Sequence, residues 1–171
     1  MNLLVVTLRL FHIVLGMFWA GTLVFFAAFL VPSVRDVGPD GAKVMAALQR
    51  RRFLDVIPAV AALTILSGLW LYWRLSGGFS SAWVTSRAGV ALGLGGLLSI
   101  VAFGIGIGIM RPAALRAAAL AQRQATSPEG PDRDAQLAVV QQLRQRTATA
   151  GRFVAVLLIL ATALMAVARY L

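Results

Sequence analysis

Four stretches of this chain, 3–31, 53–75, 83–110 and 153–170, are apolar on every side of a helix, and that uniformity constrains the fold more than any motif does. A helix of a soluble protein keeps a polar face for water. One that is apolar all round for about 20 residues instead matches the roughly 30 Å hydrocarbon core of a bilayer. Within that core the backbone finds no water, so a crossing segment must pair its own amides as a helix or close into a barrel. The lengths here are those of helices. The expectation is an all-α protein, a membrane-embedded up-down four-helix bundle forming one domain over 1–171.

Punctuation residues close the stretches: Pro32-Ser33 after the first, Ser76-Gly77-Gly78 after the second and Arg111-Pro112 after the third. The connections 32–52 and 111–152 hold all 16 Lys and Arg except Arg9, Arg74, Arg87 and Arg169. Basic loops stay on the cytoplasmic side. The asymmetry therefore predicts a multi-pass protein of a bacterial inner (plasma) membrane with both termini periplasmic or exterior. Tyr72, Trp73, Trp83 and Tyr170 fall at the outer boundary, where an aromatic belt belongs. The net charge of +10 reads as orientation and contact with anionic headgroups. Nucleic acid is excluded as a partner, because no basic groove or recognition motif accompanies the charge. The first stretch lacks a basic leader, contains Arg9 and continues to Val31, so it reads as a retained span and not a cleaved signal. The chain has no cysteine, which removes disulfides, thiolate metal sites and cysteine nucleophiles.

The connections have structure of their own. Asp40 is placed to cap a short helix over 41–49 with Val44 and Leu48 on one face. Helical extensions over 112–124 and 134–146, separated by a breaker at 127–132, predict a cytoplasmic hairpin between helices three and four. That hairpin over 111–152 is either a solvated, headgroup-contacting loop or a docking surface for a protein partner. Asp55, just after Arg50-Arg51-Arg52, is expected to favour the helix N-terminus and pair with a neighbouring arginine. In the third stretch Gly89/Gly93 and Gly104/Gly108 are small-xxx-small pairs that let another helix, or a second copy of the chain, approach closely. The missing side chains could equally leave room for a flat cofactor, lipid or quinone.

His12 is the single histidine. Arg9, His12, Gly16 and Trp19 recur at spacings of three and four and share a helix face. At 1.5 Å per residue His12 lies about 13 Å below the outer end, and antiparallel spans bring Ser67, Gly93 and Thr162 to the same level. An intramembrane ionisable residue is a functional candidate, because its burial is costly without a partner. Three roles are open to it: a hydrogen bond to Ser67, Thr162 or a carbonyl that fixes packing; contact with a ligand or cofactor; or proton transfer. The cofactor-binding set is His12, Trp19, Ser67, Gly93 and Thr162, with His12 the one metal ligand. Haem and copper use imidazole and thioether ligands, and Met17 and Met165 are the nearest thioethers by depth. No intramembrane carboxylate pair exists to relay protons, and no residue is singled out as catalytic.

The run Leu10-Phe11-His12-Ile13-Val14-Leu15-Gly16-Met17-Phe18-Trp19-Ala20-Gly21, closing at Pro32, resembles the first span of copper resistance D-like four-helix bacterial membrane proteins and their uncharacterised relatives. Pro58 through Trp70, with Thr64, Ser67 and Gly68, resembles their second span. The His12-to-Trp19 spacing with Gly21 is also similar to the membrane protoporphyrinogen oxidase family. That second resemblance implies tetrapyrrole chemistry at a first-span histidine, and the first implies copper handling. From the residues themselves no cofactor is required. The expected function is a non-enzymatic accessory or binding subunit of a membrane assembly. The alternative is haem, tetrapyrrole or copper handling at His12, followed by an oligomeric channel or transporter.

Overall fold

Large apolar side chains cover the outside of the molecule, and alanines share its inside with a few large side chains, Trp19, Leu23, Ile57, Val154 and Leu158 among them. Leu3, Met17 and Leu66 are more than 60 % exposed, whereas Ala61, Ala102 and Ala161 are all but sealed. An apolar exterior is what a lipid environment permits: small side chains allow helices to approach closely while many bulky ones meet acyl chains. The computed structural model describes residues 3–124 and 131–171. Four helical runs in it, Leu3–Asp36, Phe53–Leu75, Arg87–Arg123 and Asp134–Tyr170, are long and apolar enough to cross a membrane. Every element among the described residues is helical. The protein is all-α, as the apolar stretches predicted.

The first run comprises α1 (Leu3–Phe25), a π-helical turn (Phe26–Leu30) and α2 (Val31–Asp36). After a 3-10 turn comes the short α3 (Gly41–Arg50), then α4 (Phe53–Leu75), the single turn α5 (Ser81–Val84) and α6 (Arg87–Ile105). A second π-helical turn (Gly106–Met110) leads into α7 (Arg111–Gln124), and α8 (Pro131–Val167) completes the bundle. α1 and α4 run antiparallel: Phe26 stacks on Phe53 with centroids 5.3 Å apart, Gly16 faces Thr64, and His12 lies over Gly68. α6 and α8 pair in the same sense, Gly95 against Met165 and Gly151 against Met110. α8 is 37 residues long, about 55 Å, so its first half stands beyond a bilayer core beside α7. The expected hairpin is therefore present, with α7 and α8 continuous with the third and fourth spans. The breaker residues 127–130 lie outside the described residues, and Pro131 occupies the first position of α8.

The prolines do not end the helices where expected. Pro32 and Pro112 are each passed by a local widening of the ladder, in which the preceding N–H reaches back five residues: Val31 to the Phe26 carbonyl and Arg111 to the Gly106 carbonyl. A π turn absorbs the ring clash and missing donor that would break an α-helix, so the first run continues to Asp36. Pro58 sits inside α4 and deprives the Leu54 carbonyl, four residues earlier, of its helical donor. Arg111 replaces that donor. Its Nε donates to the Leu54 carbonyl at 3.2 Å and its Nη2 to Asp55 Oδ1 at 2.8 Å. The partner of Asp55 is thus Arg111, from the end of the third span, and not one of the adjacent arginines. Asp40 also departs from expectation: its backbone is already helical, its side chain makes no cap bond, and its carboxylate pairs with Lys43 at 2.6 Å.

At the other end Ser86 caps α6, accepting from Gly89 N–H at 3.1 Å, so the third span starts at Arg87 and not at Trp83. Gly77 and Gly78 make the expected turn with φ of 62° and 81°. Tyr72 is drawn into this cap, donating to the Gly89 carbonyl at 3.1 Å with Trp83 edge-on to its ring at 5.2 Å. Gly95 brings the third and fourth spans together: a Cβ there would lie 3.0 Å from Met165 Cγ and 3.1 Å from the Ala161 carbonyl. Gly104 and Gly108 face nothing within 4 Å among the described residues, so their predicted close approach is not made there.

Gly95→Ala is expected to lower the unfolding free energy in detergent by about 1–3 kcal/mol through overpacking, while Gly96→Ala, with no neighbour within 4 Å, leaves it unchanged or slightly raised. Arg111→Ala is expected to cost about 1–2 kcal/mol, since one change orphans a carbonyl and a carboxylate. Arg111→Lys should restore only part of this, because an ammonium does not reproduce the two-point planar hold. Thermal unfolding midpoints of the four variants check both expectations.

Candidate functional site

His12 rests on α4 where Gly68 leaves room for its ring; a Cβ on Gly68 would stand 2.7 Å from His12 Cε1. The ring Nδ1 is 2.8 Å from the Thr64 carbonyl and 3.2 Å from Ser67 Oγ. A carbonyl only accepts, so Nδ1 carries a proton, and in the neutral form of the ring the lone pair is on Nε2. Nε2 has no hydrogen-bond partner among the described residues. The polar cluster is otherwise inward-looking. The Ser67 hydroxyl is shared between the Leu63 and Thr64 carbonyls at 2.7 and 2.9 Å, and Thr64 Oγ1 donates to the Val60 carbonyl at 2.9 Å.

Of the residues expected at this level, His12 and Ser67 meet. Gly93 lies instead against Tyr72, whose hydroxyl would be 3.1 Å from a Cβ placed there. Thr162 is exposed on the outer face of α8 and donates to the Leu158 carbonyl of its own helix at 2.8 Å. Trp19 is 4 % exposed and sits two turns further along α1, in a separate environment. Neither thioether approaches a ligand set with His12: Met17 is 70 % exposed, and Met165 rests on Gly95. No group of three His, Cys, Asp or Glu side chains that could hold a metal occurs among the described residues. The cluster offers one oriented imidazole nitrogen and, among the described residues, no closed set of ligands around it.

A larger feature occupies the basic half of the bundle. A cavity of about 820 Å³ runs between α1, α2, α3, α4, α6, α7 and α8. Trp19, Leu23, Ile57, Ala61 and Ala102 form its apolar inner part. Arg35, Lys43, Arg111 and Arg144, with Gln49 and Gln145, line it at the basic end. Alanines make the space: Ala114, Ala117, Ala118 and Ala121 on α7 turn short side chains inward where larger ones would close the gap. Those alanines recur at the three- and four-residue spacing of a helix face, and that was the signal available in the sequence. Of the cofactor-binding set only Trp19 borders this cavity. No protein-family model matches the chain, and comparison with curated proteins and with solved structures gives no match.

The seating of His12 is directly testable. Gly68→Ala is expected to push the ring off the Thr64 carbonyl, at a cost of about 1–3 kcal/mol, and to remove the Nδ1–H resonance in nitrogen-resolved spectra of the side chain. Ser67→Ala should leave that resonance in place, because the serine bonds mainly to carbonyls of its own helix.

Proposed function

We propose that this chain is a non-catalytic protein of a bacterial inner membrane that works by binding, as an accessory or ligand-holding subunit of a membrane assembly. The observation that carries this reading is the cavity of about 820 Å³, apolar within and basic at one end. Clefts of this size with an apolar lining and a few placed polar groups are the usual form of a small-molecule site. The hairpin of α7 and α8 adds a protein-docking surface in this reading, and the outward-facing Gly104 and Gly108 a contact for a second copy. Orientation follows the basic residues, with the hairpin cytoplasmic and both termini outside.

A second reading has one specific observation in its favour. The Thr64 carbonyl leaves His12 Nε2 with an unshared lone pair, as required of an imidazole that ligates haem iron or copper. The similarity of the first two spans to copper resistance D-like proteins belongs with this reading.

Purification of the full chain in mild detergent, followed by mass spectrometry of extracted small molecules and co-purifying proteins, is expected to return a stoichiometric companion. An empty, partnerless monomer would sink the binding proposal. A Soret band or bound copper that disappears in His12→Ala would instead establish the second reading. Because the chain has no cysteine, single introduced ones report orientation without background. Ser81 and Gln142 are both exposed and lie on opposite sides in the assigned orientation. Ser81→Cys is expected to react with an impermeant maleimide on intact cells, and Gln142→Cys only after lysis. The reverse pattern would overturn the assigned orientation.

A further inference from the structure

Charge and depth together narrow what the cavity holds. Two of its cations are already engaged, Lys43 with Asp40 at 2.6 Å and Arg111 with Asp55 at 2.8 Å. Arg35 and Arg144 also line it and make no ion pair among the described residues. They come from two different helices, α2 and α8. From Trp19 to Arg35 the first run advances 16 residues, about 24 Å, which exceeds the roughly 15 Å depth of one leaflet's hydrocarbon. A space this deep, apolar below and carrying two unneutralised guanidinium groups above, complements a molecule with a long apolar tail and a compact anionic head. Guanidinium groups are suited to phosphate, which they can grip through paired N–H donors.

We infer that the cavity takes one anionic phospholipid, its acyl portion along Leu23, Ile57, Ala61 and Ala102 towards Trp19 and its phosphate between Arg35 and Arg144. This rests on the binding-protein reading above and specifies its ligand. Bound in this way, the lipid fills the space that the alanines of α7 leave open and neutralises two like charges facing a common cavity. A zwitterionic lipid with the same tails fills the space equally but carries a cation into a site that already has an excess of them.

Native mass spectrometry of the full chain, titrated with phosphatidylglycerol or with phosphatidylcholine of identical acyl chains, separates tail from head. One phosphatidylglycerol per chain is expected, preferred by roughly 30-fold if each arginine contributes what a basic residue does at an anionic surface. In Arg35→Gln/Arg144→Gln the preference should fall to within about threefold. Arg146→Gln/Arg152→Gln removes the same charge from residues outside the cavity and should keep it. Phosphatidylglycerol with brominated chains should quench tryptophan emission, with that quenched component absent in Trp19→Phe. Equal binding of the two lipids, or equal loss of preference in both double variants, overturns the inference while leaving a binding protein in place. A cavity filled by a second copy, seen as a lipid-free dimer, also overturns it. A chain that retains no lipid and no other companion takes the broader proposal down as well.

Discussion

A backbone carbonyl inside a bilayer that loses its amide donor has no water to turn to, and three prolines in the helices of this protein create that loss. Pro32 and Pro112 are met by widening the hydrogen-bond ladder to five-residue spacing just before the ring. Pro58 is met from outside its helix, by the guanidinium of Arg111 on the Leu54 carbonyl. The same arginine begins the helix that contains Pro112 and holds Asp55. One side chain therefore ties the second span to the third at the point where both have an interrupted backbone. The basic half of the bundle owes its shape to these accommodations, and the cavity lies among them.

Packing explains why the space is there at all. In lipid, helices gain little from hiding large apolar side chains from one another, so much of the exterior of this bundle is Leu, Ile, Val and Phe, while alanines such as Ala61, Ala102 and Ala161 share the interior with Trp19, Leu23, Ile57 and Leu158. Near Gly95 this brings α6 and α8 into direct backbone contact. At the basic end small side chains, Ala114, Ala117, Ala118 and Ala121, line a gap that also borders the π turn at Gly106–Met110.

The fold was largely legible before the structure because all-round apolarity is a one-dimensional property. Four spans, the glycine turn at Ser76-Gly77-Gly78 and the hairpin of α7 and α8 could all be read by length. Depth counting also placed His12 opposite Ser67, since a 1.5 Å rise converts residue number into level. It did not place Thr162 or Gly93 correctly, because level says nothing of direction around the helix: Thr162 faces outward and Gly93 faces Tyr72. The partner of Asp55 was missed for a different reason. Arg50, Arg51 and Arg52 are nearer in sequence, but the need that decided the pairing was the carbonyl orphaned by Pro58. The cavity was missed because no single stretch contains it; it is the sum of short side chains on several helices.

The runs differ in how they resist force. α8 is continuous over 37 residues with no proline after its first position, so it behaves as one stiff mast reaching from the hairpin to the far face of the membrane. The first and third runs each contain a π turn at the level of the cavity, and such turns are where helices bend. A push on the hairpin would therefore cross the protein as a tilt of one rod, while its neighbours flex beside it. Both π turns border the large cavity, through Phe26 and through Gly106, Ile107 and Met110.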